Sequence, residues 1–518
     1  MPAHTTHREV DNLPLLVVSI MLATLMQVVD TTIANVALPH MQGSLSATQD
    51  QVAWVLTSYI VAAAIATPAT GWLAGHFGRK NLLLVSIAGF TLASVLCAMA
   101  TGIGEMVVFR VLQGLFGAAL VPISQSSLLD SFPPEKHGSA MAMWGMGIMV
   151  GPILGPPLGG WLTETYSWHW VFLINVPLGI LALFGVMASV PADEHKPSRF
   201  DLRGFMLVAV GIAALQLFLD RGNQEDWLSS TEILIEMALA FLGLYLYFVH
   251  WREVKRPFVD LGLLGDRNFG AANLFIFIIG VVLFATMALL PPYLQNLMNY
   301  PVITTGMLLA PRGIGTLVAM VLVGRILARG IDPRIPAAIG ISLTALSMWM
   351  ITGWNADVPV WPIINAGVVQ GLGLGLVFVP VSTMAYATLP MGTRTEAAGI
   401  YSLVRNIGSS VGISIVFTLA ARYTQINHAE IASRVSAYSA NPLPDSVHTT
   451  QGLAMLNGEI TRQAAAIGYI NDFYLMTWLT LATLPLLLLF RVPGKSQQRK
   501  QKLAEDPTEA EPEMLPDH

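Results

Sequence analysis

Apolar runs of about 20 residues, nearly free of charge, recur from residue 13 to residue 490. A run of that length crosses a hydrocarbon core of roughly 30 Å as a helix, and in lipid every backbone amide must find its partner within the protein. No other feature narrows the folds open to this chain as much. Composition agrees. The chain is 54% hydrophobic and only 11% charged, whereas a water-soluble chain carries roughly 25% charged residues. It reads as an all-α polytopic membrane protein. Its single cysteine, Cys97, rules out an intrachain disulfide or a cysteine metal cluster.

Fourteen spans fit, at 13–38, 51–71, 82–101, 104–129, 139–162, 170–190, 204–219, 231–250, 270–292, 303–325, 335–353, 360–388, 398–420 and 471–490. The first stays apolar to Leu38 without a small-residue cleavage site, so it reads as a retained span and not a signal peptide. Basic residues set the orientation. With the N-terminus inside, 20 of the 27 Lys and Arg fall on the inner side, which an odd span count would scramble. Both termini are therefore expected in the cytoplasm.

The chain repeats itself. "RVLQGLFGAAL" (110–120) resembles "GVVQGLGLGLV" (367–377), and the same offset carries Pro133 onto Pro390, Ala140 onto Ala397, Gly151 onto Gly408 and Gly155 onto Gly412. Spans four and five thus match spans twelve and thirteen. Two six-helix halves with two extra helices between them satisfy this, and parallel six-helix repeats are a transporter plan with the substrate site between the halves. The expected division is a first half at 1–190, a linker with spans seven and eight at 191–250, and a second half at 251–490. That second half includes a polar outer segment at 421–470, and a disordered cytoplasmic tail follows at 491–518.

Charge inside a span is costly, about 2.5–3.5 kcal/mol at the helix centre on insertion scales, so each instance is a candidate for function. Asp30, Arg110, Arg312 and Arg405 qualify, with Asp30 read as the only deep carboxylate. Counting about 1.5 Å per residue from the span ends puts Asp30, Arg110 and Arg312 in one layer of the outer half, and Arg405 in the inner half. Gln27 and Gln113 lie one turn from Asp30 and Arg110 and are placed to solvate them; Asn406 adjoins Arg405. Burial and a nearby arginine act oppositely on a carboxyl's proton, which suits a proton relay. A static packing pair is the other reading.

"VVDTTIANVALP" (28–39), "GWLAGHFGRK" (71–80), "FRVLQGLFGAAL" (109–120), "HWVFLINVPLGI" (169–180) and "LDRG" (219–222) together resemble the 14-helix drug:proton antiporters of the major facilitator superfamily, of EmrB/QacA type and closest in motifs to the EmrB branch. The resemblance implies a proton-coupled exporter of the bacterial inner membrane in which Asp30 and Arg110 carry the relay. It implies a cytoplasmic latch at Gly71, Gly78, Arg79 and Lys80, for which plain positive-inside topology is the alternative. The family's usual loop acid is replaced here by Gly75, which puts the latch salt bridge in question. A periplasmic adaptor and an outer-membrane channel are implied partners, with 421–470 either their docking surface or a plain solvated loop. One membrane acid against three arginines suits hydrophobic neutral or weakly acidic cargo. A specific fatty acid, siderophore or metabolite stays open as cargo, and so does a non-transporting sensor. No metal pair, nucleophile–base cluster or P-loop is present in the sequence. The expectation is no enzyme, no cofactor and no nucleic-acid partner, with energy drawn from the proton gradient.

"GMGIMVGPILGPPLGG" (145–160) looks like a loop by water-based propensity. Gly147, Gly151, Gly155 and Gly159 nonetheless recur every fourth residue, with Pro152 beside one of them. In lipid such a stripe lets helix backbones approach closely. It is read as a helix between the two halves, serving either gating or static packing.

Overall fold

The computed structural model describes residues 12–133, 136–191, 199–255, 257–355, 357–435 and 449–491. Among these it is helical throughout, with no strand. Fourteen helices are long and apolar enough to cross a membrane: α1 (Leu13–Ser44), α2 (Gln51–Phe77), α3 (Arg79–Met99), α4 (Ile103–Asp130), α5 (His137–Thr165), α6 (Trp170–Ser189), α7 (Leu202–Arg221), α8 (Thr231–Glu253), α9 (Arg267–Leu297), α10 (Ile303–Ala328), α11 (Arg334–Thr352), α12 (Val360–Tyr386), α13 (Arg394–Arg434) and α14 (Thr450–Leu489). Odd-numbered helices start from one end of the bundle, here called the basic end because Arg79, Lys80, Arg267, Arg334 and Arg394 cluster there; the other is the far end. The 491–518 tail lies outside the described residues apart from Arg491.

Local chemistry sets the helix ends. Asn12 caps α1 by accepting from the Leu15 amide (3.1 Å), and Thr48 and Gln51 form a reciprocal capping box ahead of α2. Gly78 alone joins α2 to α3 with φ +81°, a conformation that glycine adopts without a Cβ penalty. Asp201 caps α7 through the Gly204 amide (2.9 Å), and its carboxylate also accepts from the Phe258 amide (3.1 Å) and meets His250 Nε2. Burial pushes the Asp201 carboxyl up, but these partners together hold it below the ordinary carboxylate range.

Large apolar side chains point outward along the helices, among them Leu92, Phe184 and Phe241 (74% exposed). On a protein in water such a belt would drive association; against acyl chains it costs nothing.

The internal repeat is visible in helix positions. The offset of 257 residues carries the start of α4, Ile103, onto the start of α12, Val360, and the start of α5, His137, onto that of α13, Arg394. Packing repeats as well. A Cβ on Gly151 would meet Val28 Cγ1 of α1 at 2.6 Å, and one on Gly412 would meet Val281 Cα of α9 at 2.7 Å. Helix α5 thus lies on α1 as α13 lies on α9.

Helix α7 ties two other helices together. Asp220 accepts from Thr57 of α2, while Gln216 donates to Ser410 of α13 (2.5 Å). Just beyond α7, the Trp227 indole donates to Thr418 of α13 (3.1 Å).

The segment 421–470, expected as an outer loop, is mostly helix. Helix α13 continues to Arg434 and α14 begins at Thr450. Forty-one residues at 1.5 Å make α13 about 60 Å long, twice the membrane core. Polar composition does not oppose helix here, because a helix beyond lipid needs no apolar belt.

Candidate transport site

In the first half, Asp30 is fully buried on α1 and receives three donors. Arg110 Nη1 of α4 donates to Oδ2 at 2.7 Å. Gln113 Nε2, one turn along α4, donates to Oδ1 at 2.8 Å, and Asn175 Nδ2 from α6 donates to the same oxygen at 2.8 Å. Ser94 Oγ of α3 accepts from both amides, at 2.8 Å from Gln113 and 3.2 Å from Asn175. Arg110, also fully buried, is held by Nε donating to the Val55 carbonyl (2.8 Å) and by Nη1 donating to Gln113 Oε1 (2.6 Å). Its guanidinium lies 4.3 Å from the Tyr59 ring centroid. Three helices, α1, α4 and α6, meet at one carboxylate, and α3 joins them through Ser94.

The expected pairing of Asp30, Arg110 and Gln113 is therefore present. Gln27 shows no hydrogen bond to Asp30 although it lies three residues away on the same helix; its Oε1 is buried without a partner among the described residues. Asn175 was missed as a functional side chain, although its motif was noticed; an amide among apolar residues at a helix start was the available signal.

Arg312 does not join this cluster either. On α10 its backbone packs against Gly367 and Gly371 of α12, and its side chain is 8% exposed. Equal depth did not mean proximity, because α10 belongs to the other half. Arg405, on α13, lies one turn from Tyr401, and its backbone carbonyl backs onto Gly280 of α9. Among the described residues neither arginine has an acidic partner, and Arg312 Nη2 and Arg405 Nε are buried without a hydrogen bond. The Asn406 carbonyl accepts from Ser410 Oγ (3.2 Å).

The basic end is closed across the halves. Asp130, at the end of α4, is fully buried between Arg79 of α3 (2.5 Å) and Arg394 of α13 (2.8 Å). Ser126 and Thr395 hydroxyls meet at 3.2 Å, and Tyr386 Oη donates to Gln125 Oε1 (3.1 Å). A Cβ on Gly71 would meet Glu396 Cβ at 2.9 Å. Lys80 Nζ donates to the Met187 carbonyl at the end of α6 (2.9 Å). With Gly75 in place of the loop acid, Arg79 finds its acid in Asp130, and the resulting ion pairs span both halves.

The glycine stripe is helical but does not face the second half. Cβ atoms on Gly151, Gly155 and Gly159 would meet Val28, Thr32 and Ile33, all on α1. Gly147 has more room, with Met21 Cε at 3.4 Å. Pro152 belongs to the same helix, its side chain lying outside the described residues. The contact between halves uses another face of α5, where Pro157, Ile153 and Ala142 meet Gly306, Gly313 and Gly324 of α10. Trp144 stacks on Phe378 at 5.8 Å. A four-residue repeat fixes which residues share a face, not which neighbour that face meets.

Asp472 corrects the expectation of a single deep carboxylate. It is fully buried on α14, about six turns from that helix's start at Thr450, whereas the sequence-based span began only at residue 471, one residue before it.

Comparison with known proteins agrees with this architecture. The sequence pattern of the Major Facilitator Superfamily matches residues 20–413. The "Fatty acid resistance protein FarB" of Neisseria gonorrhoeae is 36% identical over 488 residues, covering 92% of this chain and 96% of the relative. The "Multidrug export protein EmrB" of Haemophilus influenzae is 34% identical, covering 89% and 92%. Its Escherichia coli K12 namesake is 32% identical, covering 93% and 96%. The crystal structure of the human organic anion transporter MFSD10 (TETRAN) superposes with a TM-score of 0.56 at 13% identity, over 90% of this chain and 99% of that one; at that identity the likeness is one of fold. Together the span count, the repeated halves and these relatives make the chain a multi-pass membrane efflux transporter of small molecules that belongs to the major facilitator superfamily, in its EmrB-type branch.

Proposed function

We propose that this transporter exchanges protons for hydrophobic, neutral or weakly acidic compounds. It sits in the bacterial inner membrane with the basic end in the cytoplasm, and works by rocking its two halves between a cytoplasm-closed and a cytoplasm-open state. The observation that carries the reading is the Asp30 carboxylate, fully buried and held by Arg110, Gln113 and Asn175. A proton arriving on Asp30 neutralises the partner of Arg110 and loosens three helices at once. That couples protonation to helix position by a local charge change acting on a two-state bundle.

The cargo reading rests on Arg312, which is buried, and Arg405, which is partly buried with its Nε enclosed, neither with an acidic partner among the described residues. Arg405 lies eleven residues from the start of α13, about 16 Å into the bundle, beside Tyr401 and above the Gln125–Tyr386 contact. A carboxylate or other weak acid would satisfy such a group, whereas a dication would be repelled. Fatty acids are the specific form of this reading that a relative's name favours. The paired helical extension of α13 and α14, joined by His428 and Asn457 (3.1 Å), supports docking of a periplasmic adaptor that leads to an outer-membrane channel.

The test compares efflux of oleate, Nile red and ethidium from cells expressing the protein. Oleate and Nile red are expected to be exported, with Arg405→Ala losing oleate but retaining Nile red. Ethidium exported far better than oleate would overturn the cargo assignment.

A further inference from the structure

We propose that Asp472 is a second proton-carrying carboxyl, lodged in the half of the molecule opposite Asp30; this rests on the proton-coupled reading above. Among the described residues four acidic side chains are buried: Asp30, Asp130, Glu236 and Asp472. Asp30 and Asp130 are paired with arginine. Asp472 is fully buried, and neither carboxyl oxygen has a hydrogen-bond partner.

Its surroundings explain why it has none. On the same side of α14, Gly468 packs against the Ala420 carbonyl of α13, and Met476 Sδ lies 4.0 Å from Thr286 Oγ1 of α9. Neighbouring Phe473 and Met476 belong to an apolar core with Val282, Leu289, Met348 and Val416. Ionisable groups are sparse on every element packed here. Helix α11 carries only Arg334 and α9 only Arg267 and Tyr293, the two arginines at the basic end and Tyr293 toward the far end. Helix α13 carries Arg422 and Tyr423 beyond this level and Arg405 well below it. Tyr469 of α14 itself lies one turn away, with its ring 5.7 Å from that of Tyr293.

An ionised carboxylate with neither counter-ion nor donor in such a core is prohibitively costly, so Asp472 holds its proton here. Asp30 lies in the opposite setting, surrounded by donors. Two carboxyls in contrasted environments are what a protein needs to hold protons at different stages of one cycle. The repeat sharpens the point: the packing that pairs Gly155 with Thr32 and Gly412 with Val281 puts Ile279 where the first half has Asp30, and Gly367 stands where it has Arg110. The second half lacks the relay, and Asp472 is its own acid. Toward the far end, Trp354, whose ring centroid lies 6.0 Å from that of Tyr293, lines a cavity of about 440 Å³ together with Asn355 and Asp357. When the bundle re-orients and admits water, the O–H bond of Asp472 breaks and the proton passes to that water.

Infrared difference spectroscopy of the purified protein, wild type minus Asp472→Asn at neutral pH, is expected to show a protonated-carboxyl C=O band missing from the variant. A missing carboxylate band instead would overturn the assignment. In proteoliposomes with an imposed pH gradient, protons moved per Nile red are expected to fall about twofold in Asp472→Asn, one of two carriers being lost, and to persist in Asp472→Glu. Unchanged proton movement in Asp472→Asn beside a gradient-driven wild type rejects Asp472 alone. A wild type indifferent to the gradient rejects the proton-coupled reading itself.

Discussion

Asn175 Nδ2 donates to Asp30 Oδ1 at 2.8 Å, joining the start of α6 to the middle of α1 inside a fully buried cluster. This contact makes the carboxylate the meeting point of three helices and not merely half of an ion pair. Replacing Asn175 with Leu removes a hydrogen bond to a charged group, which is worth about 1.5–3 kcal/mol. Thermal unfolding of the purified variant should show a loss of that order, and efflux should fall with protein still inserted. Wild-type stability and efflux in Asn175→Leu would mean that Asp30 needs only Arg110.

The Asp130 bridge predicts how the basic end behaves. With Cys97 changed to Ser, a Ser126→Cys/Thr395→Cys pair should cross-link readily, because the two hydroxyls are 3.2 Å apart. Adding Asp130→Asn leaves Arg79 and Arg394 without their shared partner; breaking a buried pair costs about 3–5 kcal/mol. Cross-linking should then slow by more than tenfold as the closed state loses population. An unchanged rate would show that the apolar contacts alone hold this end shut.

The stripe on α5 predicts graded tolerance. Gly147→Ala should be silent, since its nearest neighbour is at ordinary van der Waals distance. Gly151→Leu should be inserted but inactive, because even a Cβ there meets the Val28 side chain at 2.6 Å and its backbone carbonyl carbon at 2.9 Å. Overpacking of this kind typically costs about 1–3 kcal/mol. Efflux by Gly151→Leu at the Gly147→Ala level would contradict the close α1–α5 approach.

Much of this architecture was legible in the sequence, and the failures share a cause. Apolar run length and repeat offset located the helices because both are local properties of the chain. The Asp30–Arg110–Gln113 group was legible because charge in a span is rare and needs a partner. Asn175 was not, since a neutral amide at a helix start carries no comparable penalty to flag it. Depth along a helix gives one coordinate of three, so the layer shared by Asp30, Arg110 and Arg312 did not say which of them adjoin. Asp472 escaped because the polar extension of α14 hid where lipid ends and helix continues. The α1 face of the glycine stripe and the Asp130 latch depend on which helices adjoin, which no single-chain period encodes.

The most direct test of the central claim is transport in proteoliposomes with an imposed pH gradient, comparing wild type with Asp30→Asn. The account predicts gradient-driven export by the wild type and its loss in the variant, with Nile red binding retained. Gradient-driven export that survives unchanged in Asp30→Asn would remove Asp30 from the mechanism.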